Sequence, residues 1–347
     1  KMKPAWVTAL PRVYETYRWK PVRITKARGI VQVTTNKEQF ALKPILKGGE
    51  RLVFLDRVLQ YLQKQGYSHF LPWERTKYGD TFFHENGIAF YATPWFGKEW
   101  SREAAISDDT LVRSLAEIHH LTKNTDLNDN ESELVKLATM ADEWHAQTER
   151  MRSYAVSAQK REFASPFDKA FLASVDELEQ AAIFAIKGLK HMSDKEEKQQ
   201  FRRVFCHRRI HPFNLVFAGN NWKWIDYIHG GFDVPVHDVA LYMQNFPIEA
   251  ETEDDQRVEA LHARLAAYET IFPLRLREKQ LLCLFLAYPR NVLKLLDHYY
   301  QRQRTRDEMF LTERLEGTIR YFQVIKRFVK QLWPRRNASK KIKRLNT

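Results

Sequence analysis

Residues 204–227, which decide the fold, read VFCHRRIHPFNLVFAGNNWKWIDY. Two apolar runs flank a polar loop, and a Gly-Asn-Asn turn at 219–221 then leads to a further apolar run. Such runs bounded by turn residues predict short strands, so Asn214 precedes one strand and the next strand ends in Ile225-Asp226-Tyr227. The segment therefore predicts a loop and a hairpin that present one amide and one carboxylate.

The loop spells His-x-Arg-x-x-x-x-Asn through His207, Arg209 and Asn214. It resembles the catalytic loop of the aminoglycoside phosphotransferase group of kinase-like folds, whose motif is His-x-Asp-x-x-x-x-Asn. In working phosphotransferases the loop Asp accepts the substrate hydroxyl proton, while the Asn and an Asp on a later strand hold magnesium. The resemblance implies that Asn214 and Asp226 are metal ligands, that His207 is structural, and that Arg209 occupies the base position.

Downstream, residues 233–240 read DVPVHDVA and resemble the tail of the same group, in which Asp-x-Ala opens a helix. Asp238 is accordingly predicted to be a structural capping residue. In length and spacing the chain is most similar to the CotS family of spore coat proteins. The resemblance covers roughly residues 15–330 and implies an α+β, bilobal protein-kinase-like fold.

The resemblance also implies the domain organisation. An N-lobe with a small antiparallel sheet and one helix is expected over residues 1–97, ending at a hinge around Trp95, whose backbone would bind the adenine edge. A large, mostly helical C-lobe is expected over residues 98–334, and a basic tail over residues 335–347. Asn86-Gly87 between two aromatic-rich runs predicts a hairpin just before the hinge.

Residues 1–48 are predicted to be β-rich, with a hairpin whose second strand ends at Lys43. A kinase-like lysine there would neutralise phosphate oxygens of a nucleotide, and the alternative is an ordinary strand lysine. Gly29 alone is available for a phosphate-clamping glycine loop, and a plain tight turn is the alternative. Both residues would serve an ATP site, and ATP with Mg²⁺ are the ligands that the resemblance implies.

A helix is predicted from Glu50 to Gly66, because its leucines and valines recur at helical spacing. In the kinase fold this helix supplies a carboxylate that pairs with the strand lysine. Asp56 and Glu50 are both candidates, and each is also compatible with a simple surface charge. Helical patterns continue through most of the chain beyond residue 111.

The composition limits the function classes. The chain has 347 residues, 44% hydrophobic residues and a formal charge of +13, so it is globular and attracts anions. Its terminal basic run lacks any nucleic-acid-binding motif, which favours a solvated tail over nucleic-acid binding. The sequence has two cysteines, too few for a disulfide framework, and shows no recognisable secretory leader or membrane span. These features favour a location in a reducing cytosol.

Arg209 separates the functional hypotheses. A guanidinium only donates hydrogen bonds and stays protonated, so it cannot act as the base. The first hypothesis is a degenerate kinase-like protein with a scaffolding role, and the CotS resemblance places it in the mother-cell cytoplasm and then in the spore coat, with other coat proteins as partners. The second is an active ATP- and Mg²⁺-dependent small-molecule phosphotransferase. The third is an anion-binding module.

Overall fold

The structure is a computed structural model, which describes residues 5–27, 30–45, 49–99, 106–127, 137–194, 201–249, 251–301 and 307–333. The chain divides into two compact units. Unit 1 comprises residues 1–107, 124–129 and 207–231, and unit 2 comprises residues 108–123, 130–206 and 232–347. The predicted N-lobe lies wholly within unit 1, while its boundary at residue 97 stays a prediction.

Unit 1 contains a five-stranded antiparallel sheet in the order β1-β2-β3-β5-β4. Its strands are β1 (Pro21–Ala27), β2 (Ile30–Thr35), β3 (Gln39–Ile45), β4 (Phe83–Glu85) and β5 (Ile88–Pro94). The predicted hairpin of β2 and β3 is confirmed, and its alternating side chains bury one face. The Asn86-Gly87 hairpin between β4 and β5 is confirmed too, since both residues have positive φ as a type I′ turn requires.

The expectation that residues 1–48 are β-rich is wrong at its beginning. Residues Ala5–Ala9 form a 3-10 helix and Leu10–Thr16 form helix α1. Leu10, Val13 and Tyr17 are buried against the sheet because they recur at helical spacing. The hydroxyl of Tyr17 donates to the carbonyl of Phe90, which ties the helix end to strand β5.

The rest of unit 1 supplies a helix and a second sheet. The helix predicted from Glu50 to Gly66 is confirmed as α2 (Gly49–Lys64). The three-stranded sheet has the order β6-β8-β9, formed by β6 (Lys98–Glu99), β8 (Leu215–Ala218) and β9 (Asn221–Trp224). Hence residues 207–231 bring the loop and hairpin found in the sequence into unit 1.

Unit 2 is mostly helical. Its helices are α3 (Asp108–Thr122), α4 (Leu137–Gln159), α5 (Pro166–Leu172), α6 (Val175–Ser193), α7 (Val236–Asn245), α8 (Asp254–Glu269), α9 (Leu276–Ala287), α10 (Arg290–Gln301) and α11 (Glu308–Leu332). Strand β7 (Val204–Cys206) pairs with β10 (Gly231–Asp233). The predicted α+β class, with a small antiparallel sheet region and a mostly helical remainder, is confirmed.

Some sequence features fall outside the described residues. These are Gly29, the side chain of Glu50 and the basic tail at residues 335–347. Within the described residues no helix combines the length and apolar character that crossing a bilayer requires.

Gly97 provides a test of the packing beside β6. Its φ of +53° favours glycine, and an added Cβ would lie 2.0 Å from the carbonyl oxygen of Phe217 on β8. Gly66 also has positive φ, at +85°, but a Cβ there meets nothing within 4 Å. We expect Gly66→Ala to lower the free energy of unfolding by about 1–2 kcal/mol through backbone strain. We expect Gly97→Ala to lower the free energy of unfolding by about 1–3 kcal/mol more than Gly66→Ala does, because the added methyl group overpacks against β8.

Denaturant unfolding of the two variants and the wild type measures both costs. Equal losses for the two glycines would show that strand β8 yields to the extra methyl group.

Candidate functional site

The loop after β7 is held by a buried histidine. The Nε2 atom of His207 lies 2.9 Å from the carbonyl oxygen of Ile225, and its Nδ1 lies 3.3 Å from the backbone N–H of Arg209. Because Nδ1 accepts from that N–H, Nε2 carries the proton and donates to Ile225. His207 thus ties the loop to the residue that precedes Asp226.

Asn214 is built into the same loop. Its side-chain Nδ2 donates to the carbonyl of Arg209 at 3.0 Å, and its backbone N–H donates to His211 at 2.9 Å. Its own carbonyl accepts from the N–H of Ile225 at 2.9 Å. With the amide nitrogen used, the side-chain oxygen is the atom that Asn214 can offer to a cation.

Asp226 follows the residue that faces Asn214 in the hairpin register. Leu215 of β8 pairs with Trp224 of β9, so the residues just outside this pair meet at one end of the hairpin. Asp226 has φ 68° and ψ 48°, a left-handed conformation that aspartate tolerates better than most residues. Strand β9 ends before this residue, at Trp224.

Arg51 of helix α2 secures the segment that follows. Its Nε donates to the carbonyl of Ile228 at 2.7 Å, and its Nη2 donates to that of Gly230 at 2.8 Å. Sequence reasoning missed this positioning residue, since an arginine on a helix usually indicates only a solvated surface. A charged donor that binds two carbonyls holds the turn after Asp226 in place.

Two cations face Asp226. The Nζ of Lys43 lies 2.7 Å from Oδ1, and both side chains are largely buried. Nη1 of Arg209 lies 3.5 Å from Oδ2, with 48% of the Arg209 side chain exposed. Lys43 also projects toward the ring of Tyr91, its cross-strand neighbour on β5. Asp226 is therefore the junction between strand β3 and the loop.

The electrostatics follow from this geometry. Burial raises the pKa of Asp226, but the charge and hydrogen bond of Lys43, helped by the charge of Arg209, outweigh this effect, so the net pKa lies below its usual value. Burial and then the charge of Arg209 lower the pKa of His229. Asp226 is thus ionised at neutral pH, and its surroundings carry a positive potential.

Asp56 does not pair with Lys43, contrary to one of the two expectations from the sequence. Its oxygens accept from both terminal nitrogens of Arg75, at 2.9 and 2.8 Å, and from the hydroxyl of Thr81 at 2.9 Å. Arg75 lies outside the motif, so sequence spacing gave no signal for this pair. The partner of Lys43 that the structure describes is Asp226, and Glu50 lies outside the described side chains.

Trp95 lies at the predicted hinge, and its nucleotide-binding role stays a prediction. Its backbone N–H donates to the carbonyl of Gln39 at 2.7 Å, and Pro94 has no N–H. The backbone donor expected to bind an adenine edge at this position is therefore already used. The indole remains 38% exposed and lines the cavity described next.

A cavity of about 510 Å³ within unit 1 brings these residues together. Its lining includes five of the predicted site residues, namely Lys43, Trp95, Arg209, Asn214 and Asp226. Sequence reasoning did not identify Lys98, Glu99 or Phe213, which also line it. Phe213 is 63% exposed beside the loop. The roles of all these residues toward a ligand stay predictions.

The oxygens of Asn214 and Asp226 meet the needs of Mg²⁺ only in part. Carboxylate and amide oxygens are the hard ligands that Mg²⁺ prefers, so Asn214 and Asp226 fit in chemical type. The charge fits less well, because Lys43 and Arg209 already face the two oxygens of Asp226. A divalent cation there would have to displace or repel at least one of them.

Asp238 lies in unit 2, in the first turn of α7. The N-cap of that helix is Pro235, so the expectation that Asp238 caps it is wrong. Its Oδ2 lies 3.7 Å from Nε2 of His119, and the thiol of Cys206 lies 3.8 Å from the same nitrogen. All three side chains are buried. Three donors fall short of the four protein ligands typical of structural zinc.

Comparison with known proteins identifies the family. The sequence profile described as "Spore coat putative kinase YutH" matches residues 11–332. The chain belongs to this family. The match spans nearly the whole length and includes the loop and hairpin of the candidate site, so the spore coat resemblance drawn from length and spacing is confirmed.

Solved structures similar to this family member share its fold. An aminoglycoside phosphotransferase from Alicyclobacillus acidocaldarius superposes with a TM-score of 0.73 at 14% identity, covering 95% of this chain and 96% of that one. Spectinomycin phosphotransferase APH(9)-Ia with ADP and spectinomycin gives 0.62 at 12% identity, covering 95% and 99%. Amicoumacin kinase hAmiN with AMP-PNP and Ca²⁺ gives 0.60 at 14%, covering 93% of each chain. The protein-kinase-like fold is thereby confirmed.

The Lys43–Asp226 pair predicts how stability depends on pH. Because the folded pKa of Asp226 lies below the unfolded value of about 3.9, the pair stabilises the fold above that pH. Its contribution is lost as the pH falls through the folded pKa. We expect Asp226→Asn to lower the free energy of unfolding by about 1–3 kcal/mol at neutral pH. The gap from wild type should narrow below about pH 4.

Urea unfolding between about pH 3 and pH 7 measures this gap. Exposed Glu251, on unit 2, offers a matched control through Glu251→Gln. A difference between wild type and Asp226→Asn that stays constant over the whole range would contradict the ion-pair assignment.

Proposed function

We propose that this spore coat kinase family member is a nucleotide-binding pseudokinase with a scaffolding role in the endospore coat. The observation that carries the proposal is Arg209, which takes the base position of the loop and lies against Asp226. A guanidinium has donors only and stays protonated at every accessible pH. It therefore cannot remove the proton of an attacking hydroxyl.

Besides Asp226, the described lining offers Glu99 and His211 as groups able to accept a proton, and neither occupies the base position of the loop. Glu99 is the other lining carboxylate, and it lies on strand β6. Loss of a general base costs on the order of 10²–10⁴ in rate. Phosphoryl transfer also depends on positioning and charge neutralisation, so weak residual turnover is compatible with the proposal.

Nucleotide binding is supported by the cavity itself. Lys43 and Arg209 present cations for phosphates, while Trp95 and Phe213 present aromatic surface. Pockets of about this volume, apolar with a few placed polar groups, are typical of small-molecule sites. Kinases of the same fold have been solved with ADP and with AMP-PNP, which agrees with this use of the cavity.

The coat assignment rests on family membership. We propose that the protein is made in the mother-cell cytoplasm and is then incorporated into the spore coat, where other coat proteins are its partners. A fluorescent fusion followed through sporulation tests this: the signal should move from the mother-cell cytoplasm to the spore periphery. A signal that never reaches the spore would overturn the coat role.

An active small-molecule phosphotransferase is the second candidate. Lys43, Asn214 and Asp226 line one cavity as a working nucleotide site would require. His211 lines it as well and belongs to a residue type that can accept a proton. Turnover by the wild-type protein would favour this candidate.

Phosphoryl transfer from ATP, measured on small alcohols and on proteins, separates the two candidates. We expect wild-type turnover at background and a gain of about 10²-fold or more for Arg209→Asp, which restores a proton acceptor. Arg209→Asn is the matched control, because it removes the same positive charge without supplying a base. It should show no such gain.

The decisive contrary result is robust wild-type turnover that Asp226→Ala abolishes. Binding of ATP without turnover would agree with the pseudokinase proposal. If ATP neither binds nor raises the melting temperature, the nucleotide-binding part of the pseudokinase proposal is wrong.

A further inference from the structure

The lining of the cavity carries more cationic than anionic side chains. Its described lining contains three cationic side chains, Lys43, Lys98 and Arg209, and two carboxylates, Glu99 and Asp226. The net charge of this lining is therefore positive, with histidine counted as neutral. A kinase-like loop with aspartate at position 209 would instead make it negative.

The net charge of this lining and that of a lining with aspartate at position 209 differ by the charge of one Mg²⁺ ion. Exchanging a carboxylate for a guanidinium changes the local charge by two units in the positive direction. In working phosphotransferases the metal ions bridge the phosphates and neutralise their negative charge. Arg209 carries its own positive charge into the same loop, beside the same carboxylate, Asp226.

From this we propose that Arg209 replaces the divalent metal, so that the cavity binds a nucleoside polyphosphate without Mg²⁺. The inference rests on the proposed nucleotide-binding function and specifies its ligand as the metal-free polyphosphate. Arg209 provides a planar fork of donors that matches phosphate oxygens in two-point contacts. Lys43 provides a second cation from the opposite side of Asp226.

The geometry allows Arg209 to reach a ligand at small cost. Its contact with Asp226 is long, at 3.5 Å, and about half of its side chain is exposed. A half-exposed guanidinium at this distance holds its partner only weakly, so it can exchange Asp226 for phosphate. Asp226 keeps its short contact with Lys43, at 2.7 Å, and is not left as an unpaired anion.

The same contacts work against a metal ion at this position. Asp226 would have to coordinate Mg²⁺ within a few ångströms of two cations, and like charges at such distances repel strongly in a partly buried site. Both oxygens of Asp226 already face a protein cation, Lys43 at Oδ1 and Arg209 at Oδ2. Its negative charge is thus already balanced by the protein.

Calorimetric titration with the nonhydrolysable ATP analogue AMP-PNP tests the inference on the wild-type protein. Affinities in excess EDTA and in excess Mg²⁺ should agree within about threefold, or favour EDTA. In Arg209→Asp the affinity in EDTA should fall at least about tenfold below that in Mg²⁺. Arg23→Asp, on the exposed strand β1, makes the same change of charge away from the cavity and should leave the wild-type behaviour intact.

Asp226→Asn provides an independent arm. If no metal is held there, the affinities of this variant for AMP-PNP in excess Mg²⁺ and in excess EDTA should agree within about threefold, whatever its absolute affinity. In the Arg209→Asp background the same substitution should weaken binding in Mg²⁺. Circular dichroism and melting temperature check that each variant is folded.

The outcomes separate the two proposals. Wild-type binding that requires Mg²⁺ overturns the metal-free inference and leaves the proposed nucleotide-binding function standing. Equal dependence on Mg²⁺ in wild type and Arg209→Asp overturns the assigned role of Arg209. If AMP-PNP binds under neither condition, both the inference and the nucleotide-binding part of the proposed function fail.

Discussion

The ion pair between Lys43 and Asp226 is the interaction on which the candidate site depends. It joins strand β3 of the small sheet to the turn after β9, two segments far apart in the sequence. The pair is mostly buried, so leaving either charge alone would be costly. Because Arg51 holds the same turn from helix α2, Asp226 is positioned from two sides.

Around this pair the loop keeps a hydrogen-bonded frame, and the residue that departs from the phosphotransferase motif is Arg209. His207 and Asn214 use their polar atoms to tie the loop to the end of β9, through Ile225. This hydrogen bonding does not involve the side chain at position 209. The frame can therefore keep its geometry while that side chain changes from a proton acceptor to a permanent cation. A kinase-like architecture and a lost catalytic base are compatible for this physical reason.

The sequence predicted the fold best where a pattern is local. The Asn86-Gly87 turn needs two positive φ values, and few residues other than asparagine and glycine supply them. The prediction failed at residues 5–16, which are helical although the region was expected to be β-rich. Tertiary packing decides that segment, because Leu10, Val13 and Tyr17 gain burial only against the finished sheet.

The sequence by itself determined the chemistry available to this protein: the loop pattern and the cation at Arg209. Only the tertiary structure decided which charges meet. In the folded chain Asp56 pairs with Arg75, and Asp226 pairs with Lys43. The backbone N–H of Trp95 donates to another backbone carbonyl. The reason is that a charge selects its partner by distance and burial, which depend on the packing of segments remote in the chain.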